Sequence, residues 1–220
     1  SKPFILPVPG KELDGVIAFR SIDDVDTMME AAANHTHAVV IGGGLLGLEA
    51  ANGLSRQGMN VTVVHLMDSL MERQLDKTAA QLLQANLETR GLNFKLQAAT
   101  AELHGDASGR VTEISFKDGS RIPADLVVMA AGIMPNVALA KDNGIPCERG
   151  ILVNDTLQTN DPRVYAVGEC VQHRKAVYGL VAPLYEQARV CAAHLAKIGY
   201  SAYKGSVTST KLKVTGVNLF

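Results

Sequence analysis

The 220-residue chain has no tryptophan, only three cysteines and no strong charge of either sign. The balance of charge and the few cysteines each remove a class of function. Lys and Arg number 21 against 22 Asp and Glu, for a net charge of −1. The basic residues are scattered, whereas a nucleic-acid surface concentrates positive charge to neutralise phosphates, so no nucleic-acid partner is expected. No apolar run approaches the roughly 20 residues of a membrane-spanning helix. The opening SKPFILPVPG has no continuous apolar core of the kind a signal peptide carries. No membrane partner is expected, and the location reads as cytoplasmic. Cys147, Cys170 and Cys191 are too far apart for a C-x-x-C motif. They read as reduced, mostly buried thiols, with a redox-active pair as the alternative. His35 and His37 lack further ligands at metal-site spacing, so they read as surface histidines and no metal site is expected. No Ser–His–Asp or Cys–His arrangement can be argued from spacing.

What is present is an ordinary globular mixture, 47% hydrophobic and 20% charged, long enough for one large domain or two small ones. Residues 1–15 are Pro-rich and without helical period, an extended connector. In SIDDVDTMMEAAA, Ser21 can cap a helix with Asp24 three residues on, and Ile22, Val25, Met28 and Met29 are expected on one apolar face. A strand (Ala38 to Ile41), a glycine turn, a helix from about Leu45 to Arg56 and a second strand in MNVTVVHL follow. Together they make a β-α-β unit of about thirty residues. LDKTAAQLLQANLETRG reads as an amphipathic helix closed by Gly91. Short strands with turns at Gly105–Gly109 and Asp118–Gly119 come next. They lead to Leu126–Ala130, a strand apolar on both faces and so suited to the middle of a parallel sheet. After GIMPN the texture changes to two or three short strands and the helix in PLYEQARVCAAHLAKIG.

Two motifs carry chemistry. In VVIGGGLLGLEAA, Gly42 permits a tight turn, Gly44 admits a pyrophosphate to the backbone, and Gly47 lets helix and strand approach. The helix N-terminus then offers free N–H groups to the phosphates. Because this G-x-G-x-x-G stands between a strand and a helix, its context is the required one. An acid normally closes the second strand and grips the ribose. Here His65 stands there, with Asp68 and Arg73 beyond it. His65 is either a plain strand-end histidine or a donor to a ribose oxygen or a 2′-phosphate. Arg73 reaches a phosphate only if its loop folds back. NADH is favoured over NADPH without being decided. Glu49, read as lying on the first turn of the helix, either answers the helix dipole or stands against the nicotinamide. The second motif is DPRVYAVGEC, in which an apolar strand, Val164–Val167, delivers Gly168 and Glu169. It is either an ordinary strand and turn or a ligand's hydroxyl-binding corner.

In this order the stretches resemble the pyridine nucleotide–disulfide oxidoreductases, flavoproteins in which an NAD(P)H domain interrupts an FAD domain. VVIGGGLLGLEAA is similar to the family's NAD(P)H fingerprint, including the position of Glu49. VVMAAGIMPN resembles the segment that closes that domain, and TNDPRVYAVGEC the second FAD motif, where Glu169 replaces the usual Asp. LMERQLD, YAVGEC, GLVAPLYEQARV and STKLKVTGV resemble the branch of large subunits of assimilatory NAD(P)H nitrite reductases. The resemblance implies an α/β fold: a Rossmann-like NAD(P)H-binding domain, with a parallel sheet, helices and a small antiparallel meander, joined to the C-terminal part of a split FAD domain. It implies NAD(P)H contacts from Gly42, Gly43, Gly44, Leu45, Leu46, Gly47, Glu49, His65, Arg73, Ala131 and Gly132. For FAD it implies Gly168, Glu169, Pro183 and Leu184. It further implies hydride passing to FAD, and electrons passing on to iron–sulfur and sirohaem centres in other domains, where nitrite becomes ammonia.

The expected organisation is a connector over 1–20, an NAD(P)H-binding domain over 21–134, the returning part of the FAD domain over 135–199, and the start of a further domain over 200–220. The chain starts at Ser1 without Met, and no first, FAD-binding glycine fingerprint occurs in it. A fragment of a longer enzyme is therefore expected, inactive in isolation. Its partners would be the other half of the FAD domain and downstream redox domains, and a homodimer is admissible. A rubredoxin or ferredoxin reductase, an NADH oxidase, and a non-enzymatic nucleotide-binding redox module are the competing readings.

Overall fold

The structure, a computed structural model, describes residues 1–214 and 217. In chain order its elements are β1 (Lys2–Pro3), β2 (Val16–Ala18), α1 (Ile22–Asn34), β3 (His37–Ile41), α2 (Leu45–Arg56), β4 (Asn60–Val64), α3 (Lys77–Glu88) and β5 (Asn93–Lys95). There follow β6 (Thr100–Gly105), β7 (Val111–Phe116), β8 (Arg121–Pro123), β9 (Leu126–Met129), β10 (Ile133–Met134), α4 (Ala138–Asp142), β11 (Ile151–Val153), β12 (Val171–His173) and α5 (Val181–Leu195). The chain divides into two compact units, one of Ser1–Lys2 with Ile133–Ser209, the other of Pro3–Gly132 with the residues from Thr210 on.

The larger unit is built on a five-stranded parallel sheet of order β2-β9-β3-β4-β5. Strand side chains alternate faces, and here both faces are apolar. In β3, Ala38 and Val40 join one core with α1 and α2, while Val39 and Ile41 join a second. In β9, Leu126 and Val128 divide from Val127 and Met129 in the same way, and all four are buried. Burying each such side chain is worth roughly 1.5–3 kcal/mol, so a strand of this composition belongs at the centre of the sheet. Helices cover one face. The other is covered by the antiparallel meander β6-β7-β8, through Leu103, Val111, Ile114 and Phe116. The connector contributes Leu6, Val8 and Leu13 to that second core.

Local sequence explains the helix starts. Ser21 Oγ accepts the Asp24 N–H, and the Asp24 carboxylate accepts the Ser21 N–H at 2.7 Å, a reciprocal cap. Asp76 caps α3 through the Ala79 N–H. The expected apolar face of α1 needs correction. Only Met28 of its four residues is buried, beside Ala31, whereas Ile22, Val25 and Met29 are exposed. At about 100° per residue, Met28 and Ala31 lie some 120° or more round the helix from Ile22, so the buried line is not the one the spacing suggested.

Residues 201–209 group with the smaller unit, while Leu212 and Val214 are buried in the helix-side core of the larger one. Of the run expected to open a further domain, and of STKLKVTGV within it, residues 215, 216 and 218–220 lie outside the described residues.

The smaller unit has its own core of Leu157, Val171, Cys191 and Tyr203 beside the parallel pair β11–β12 and α5. The strand expected over Val164–Val167 is corrected to an irregular segment in which Tyr165 alone makes a bridge, to Gln158. Val164 and Val167 stay exposed, while two backbone hydrogen bonds flank the bridge, Thr159 N–H to the Val164 carbonyl and Ala166 N–H to the Leu157 carbonyl. His173 is buried against the Tyr203 ring and contacts Asp155 at 2.8 Å. The Arg174 guanidinium beside Asp155, followed by His173, holds this carboxyl down to about 2 from its ordinary 3.8. A depressed carboxyl stabilises the fold above its unfolded value and ceases to as pH falls through its folded value. Asp155→Asn should therefore lower the thermal midpoint at neutral pH, with the gap to wild type closing between pH 3.8 and about 2. Midpoints taken across that range would check it. A gap that persists below pH 2 would rule out the ionised carboxylate as its source.

Candidate functional site

The carboxyl ends of the strands in the larger unit converge on the glycine turn. β3 ends at Ile41, and Gly42 turns the chain with φ +132°, a conformation that glycine alone adopts readily. Its N–H donates to the Val64 carbonyl at 2.8 Å. A side chain on Gly42 would stand 2.4 Å from the Ala130 carbonyl oxygen. The backbone at Ala130 and Ala131, where β9 ends, thus closes one wall. Gly132 follows with its carbonyl accepting the Phe4 N–H at 2.9 Å.

Gly44 is the N-cap of α2, and no side chain caps it. A Cβ placed on Gly44 would meet nothing within 4 Å. Open space therefore faces a helix N-terminus whose first N–H groups have no intrahelical acceptor. Leu45 packs on the helix-side core and Leu46 is exposed. Gly47 is the point of closest approach, because a Cβ there would stand 1.9 Å from the Gly42 carbonyl oxygen. This donor-rich, side-chain-free cradle fits a pyrophosphate.

Glu49 is corrected from the first to the second turn of α2. The helix starts at Leu45, and no acid lies in its first turn. Glu49 Oε1 accepts the backbone N–H of Lys213 at 3.1 Å. His65, at the end of β4, uses both ring nitrogens within the chain. Nδ1 lies 3.1 Å from the Gly43 nitrogen, which donates to it, and Nε2 lies 3.1 Å from Glu72 Oε2. Arg73 is exposed on the following loop. No spacing rule points to Glu72, since the pair forms only when the loop after β4 turns back.

In the smaller unit, Gly168 has φ +100° and open space where a side chain would stand. Its N–H donates to Gln187 Oε1 at 2.9 Å. Gln187 is fully buried one turn after Pro183 on α5, a brace that its spacing alone could not reveal. Glu169 is 13% exposed and lies 3.4 Å from the Ser1 amino group. Pro183 is buried in the first turn of α5, Leu184 is half-buried, and no side chain caps that helix. The uncapped helix start and the open Gly168 corner suit a polar ligand.

The three cysteines are free, with Cys191 buried and Cys147 and Cys170 half-buried. Burial pushes the Cys191 thiol up. Among the described residues no His, Cys, Asp or Glu cluster could hold a metal ion, and no helix is long and apolar enough to cross a membrane.

Comparisons with known proteins point to one family. The family profile described as pyridine nucleotide-disulphide oxidoreductase matches residues 1–194. The chain is 58% identical over its whole length to a nitrite reductase [NAD(P)H] of Bacillus subtilis (strain 168), covering 27% of that protein. It is 49% identical, again over its whole length, to the assimilatory nitrate reductase electron transfer subunit of the same organism, covering 28% of it. The chain thus spans little more than a quarter of the curated relatives it matches. Among solved structures, the ferredoxin reductase for the CYP199A2 system from Rhodopseudomonas palustris superposes with a TM-score of 0.86 at 29% identity. That match takes in 93% of this chain and 52% of the other.

Proposed function

The chain belongs to the pyridine nucleotide-disulphide oxidoreductase family, and from that premise we propose that its glycine turn binds NAD(P)H within an enzyme that reduces nitrite. The observation that carries the binding step is the open, uncapped helix start at Gly44. The N–H groups of Leu45, Leu46 and Gly47 would hold the pyrophosphate, with Gly42 and Gly43 forming the floor. Ala131 and Gly132 would border the nicotinamide half and Glu49 would flank it. His65 and Arg73 belong to the adenosine end.

In the same reading the smaller unit is the returning part of an FAD domain. Gly168 and Glu169 would receive the ribityl–pyrophosphate portion, and Pro183 and Leu184 would lie by the flavin ring. When both are bound, NAD(P)H supplies a hydride and FAD accepts it. The chain's own residues bind and orient: hydride transfer asks for aligned rings, and positioning is where the protein contributes. Iron–sulfur and sirohaem groups would belong to other parts of the protein, and no step through them is assigned to these residues. Nitrite as acceptor is supported by the 58% identity to a protein of that name. A cytoplasmic location belongs to the same reading, and among the described residues no helix is long and apolar enough to cross a membrane.

Calorimetric titration of the full-length protein with NADH and NADPH, followed by assay with nitrite, tests this. We expect one nucleotide to bind with micromolar affinity and nitrite to be consumed. Failure of both nucleotides to bind would sink the site. Binding without nitrite turnover, but with electron delivery to a nitrate reductase, would replace the acceptor.

A further inference from the structure

The acid that normally closes the second strand of a dinucleotide fold is replaced here by His65, and the structure shows what His65 holds. The Gly43 N–H donates to Nδ1 at 3.1 Å, so a neutral ring carries its proton on Nε2. That Nε2–H then points at Glu72 Oε2, 3.1 Å away. The Met71 N–H donates to the Gly43 carbonyl at 3.0 Å. Both backbone groups of Gly43 are thus committed, one to His65 and one to the residue before Glu72. Leu70 and Met71 are buried, and Met71 takes the left-handed conformation, φ +51°, that turns the loop back. A side chain on Gly43 would stand 2.8 Å from His65 Cγ and 2.9 Å from Leu70 Cδ2. The loop is therefore stapled to the glycine turn, and Glu72 is held with it, its side chain 31% exposed. The other acid of this loop, Asp68, is committed to Lys77 at 2.9 Å.

We propose that Glu72 is the carboxylate that reads the adenosine ribose, carried to the strand end by His65, and that it makes the site select NADH over NADPH. The proposal rests on the reading of the glycine turn as the NAD(P)H site. A carboxylate accepts a hydrogen bond from a free 2′-hydroxyl and repels a 2′-phosphate. His65 is a positioning residue. With both nitrogens engaged it has no proton left to give a phosphate, and Glu72 supplies the missing acid from seven residues downstream. Sequence spacing conceals this, because the rule looks for the acid on the strand itself.

The test is calorimetric titration of the full-length protein, wild type and variants, with NADH and NADPH. Wild type should bind NADH more tightly. Glu72→Gln, which keeps the shape and removes the charge, should narrow the NADH-to-NADPH ratio about tenfold. Glu72→Lys should move it further toward NADPH. A merely structural role would weaken both nucleotides equally and leave the ratio unmoved, which overturns the proposal. So does a wild type that prefers NADPH, or an Arg73→Ala variant that loses NADPH affinity while Glu72→Gln changes nothing. If neither nucleotide binds the wild type, the dinucleotide site itself fails and this assignment goes with it.

Discussion

Gly44→Ala should cost the protein its NAD(P)H and leave its fold in place. Gly44 has φ −87° and ψ −173°, an extended conformation that alanine adopts without strain. The added methyl would meet no protein atom within 4 Å. Alanine is a poorer N-cap than glycine by about 0.5–1 kcal/mol. It also lowers the entropy of the unfolded chain, worth about 0.4–1 kcal/mol in the other direction. These nearly cancel, so the thermal midpoint should move by no more than a degree or two. The methyl would occupy the space through which, in the proposed site, a pyrophosphate reaches the backbone. Removing that approach should weaken binding by roughly 100-fold, about 2.7 kcal/mol. Calorimetric titration beside a thermal melt separates the two quantities. Full affinity in a normally folded variant would show that the phosphates lie elsewhere.

Gly47→Ala adds the same methyl three residues on and should do something different. Its Cβ would stand 1.9 Å from the Gly42 carbonyl oxygen and 2.9 Å from the carbonyl carbon. Both are backbone atoms, so no side chain can swing aside. Either α2 lifts from β3 or the turn deforms. Lifting the helix loosens Leu48 and Ala51, both fully buried in the core beneath it. Overpacking of this kind costs about 1–3 kcal/mol and more against backbone. In a unit of this size that lowers the midpoint by roughly 5–10 °C. Nucleotide affinity should fall as well, since the displaced helix no longer aims its N–H groups at the turn. Amide exchange should quicken along α2 and the end of β3. A variant as stable as wild type would mean that the helix is not seated as closely as described. On these expectations the two glycines would divide the fingerprint's duties, one serving the ligand and the other the packing.

Much of this was legible beforehand because it is local. The β3–α2–β4 unit follows from apolar strands, three spaced glycines and a helix between them. The cap at Ser21 is decided within three residues of the helix start. The central place of β9 was readable from its unbroken apolar run, since only a strand buried on both faces tolerates one. Where the sequence reading failed, the missing information was a neighbour. Val164–Val167 has the composition of a strand but pairs with its neighbour through a single bridge, too short a ladder to make one. The face of α1 was misjudged by part of a turn, because its spacing could not say where α2 would lie.

By itself, then, the sequence determined the α/β class, the glycine turn, the start of α1 and the family. Periodicity, capping and backbone freedom act over a few residues, and those residues are adjacent in the chain. Tertiary structure alone decided the side-chain contacts within each unit. In the larger one it brought Lys213 to Glu49 and closed His65 onto Glu72, and in the smaller one it braced Gly168 with Gln187. Each of these contacts depends on where a loop or a distant segment returns, which is fixed by packing of the whole unit and not by the spacing of neighbours.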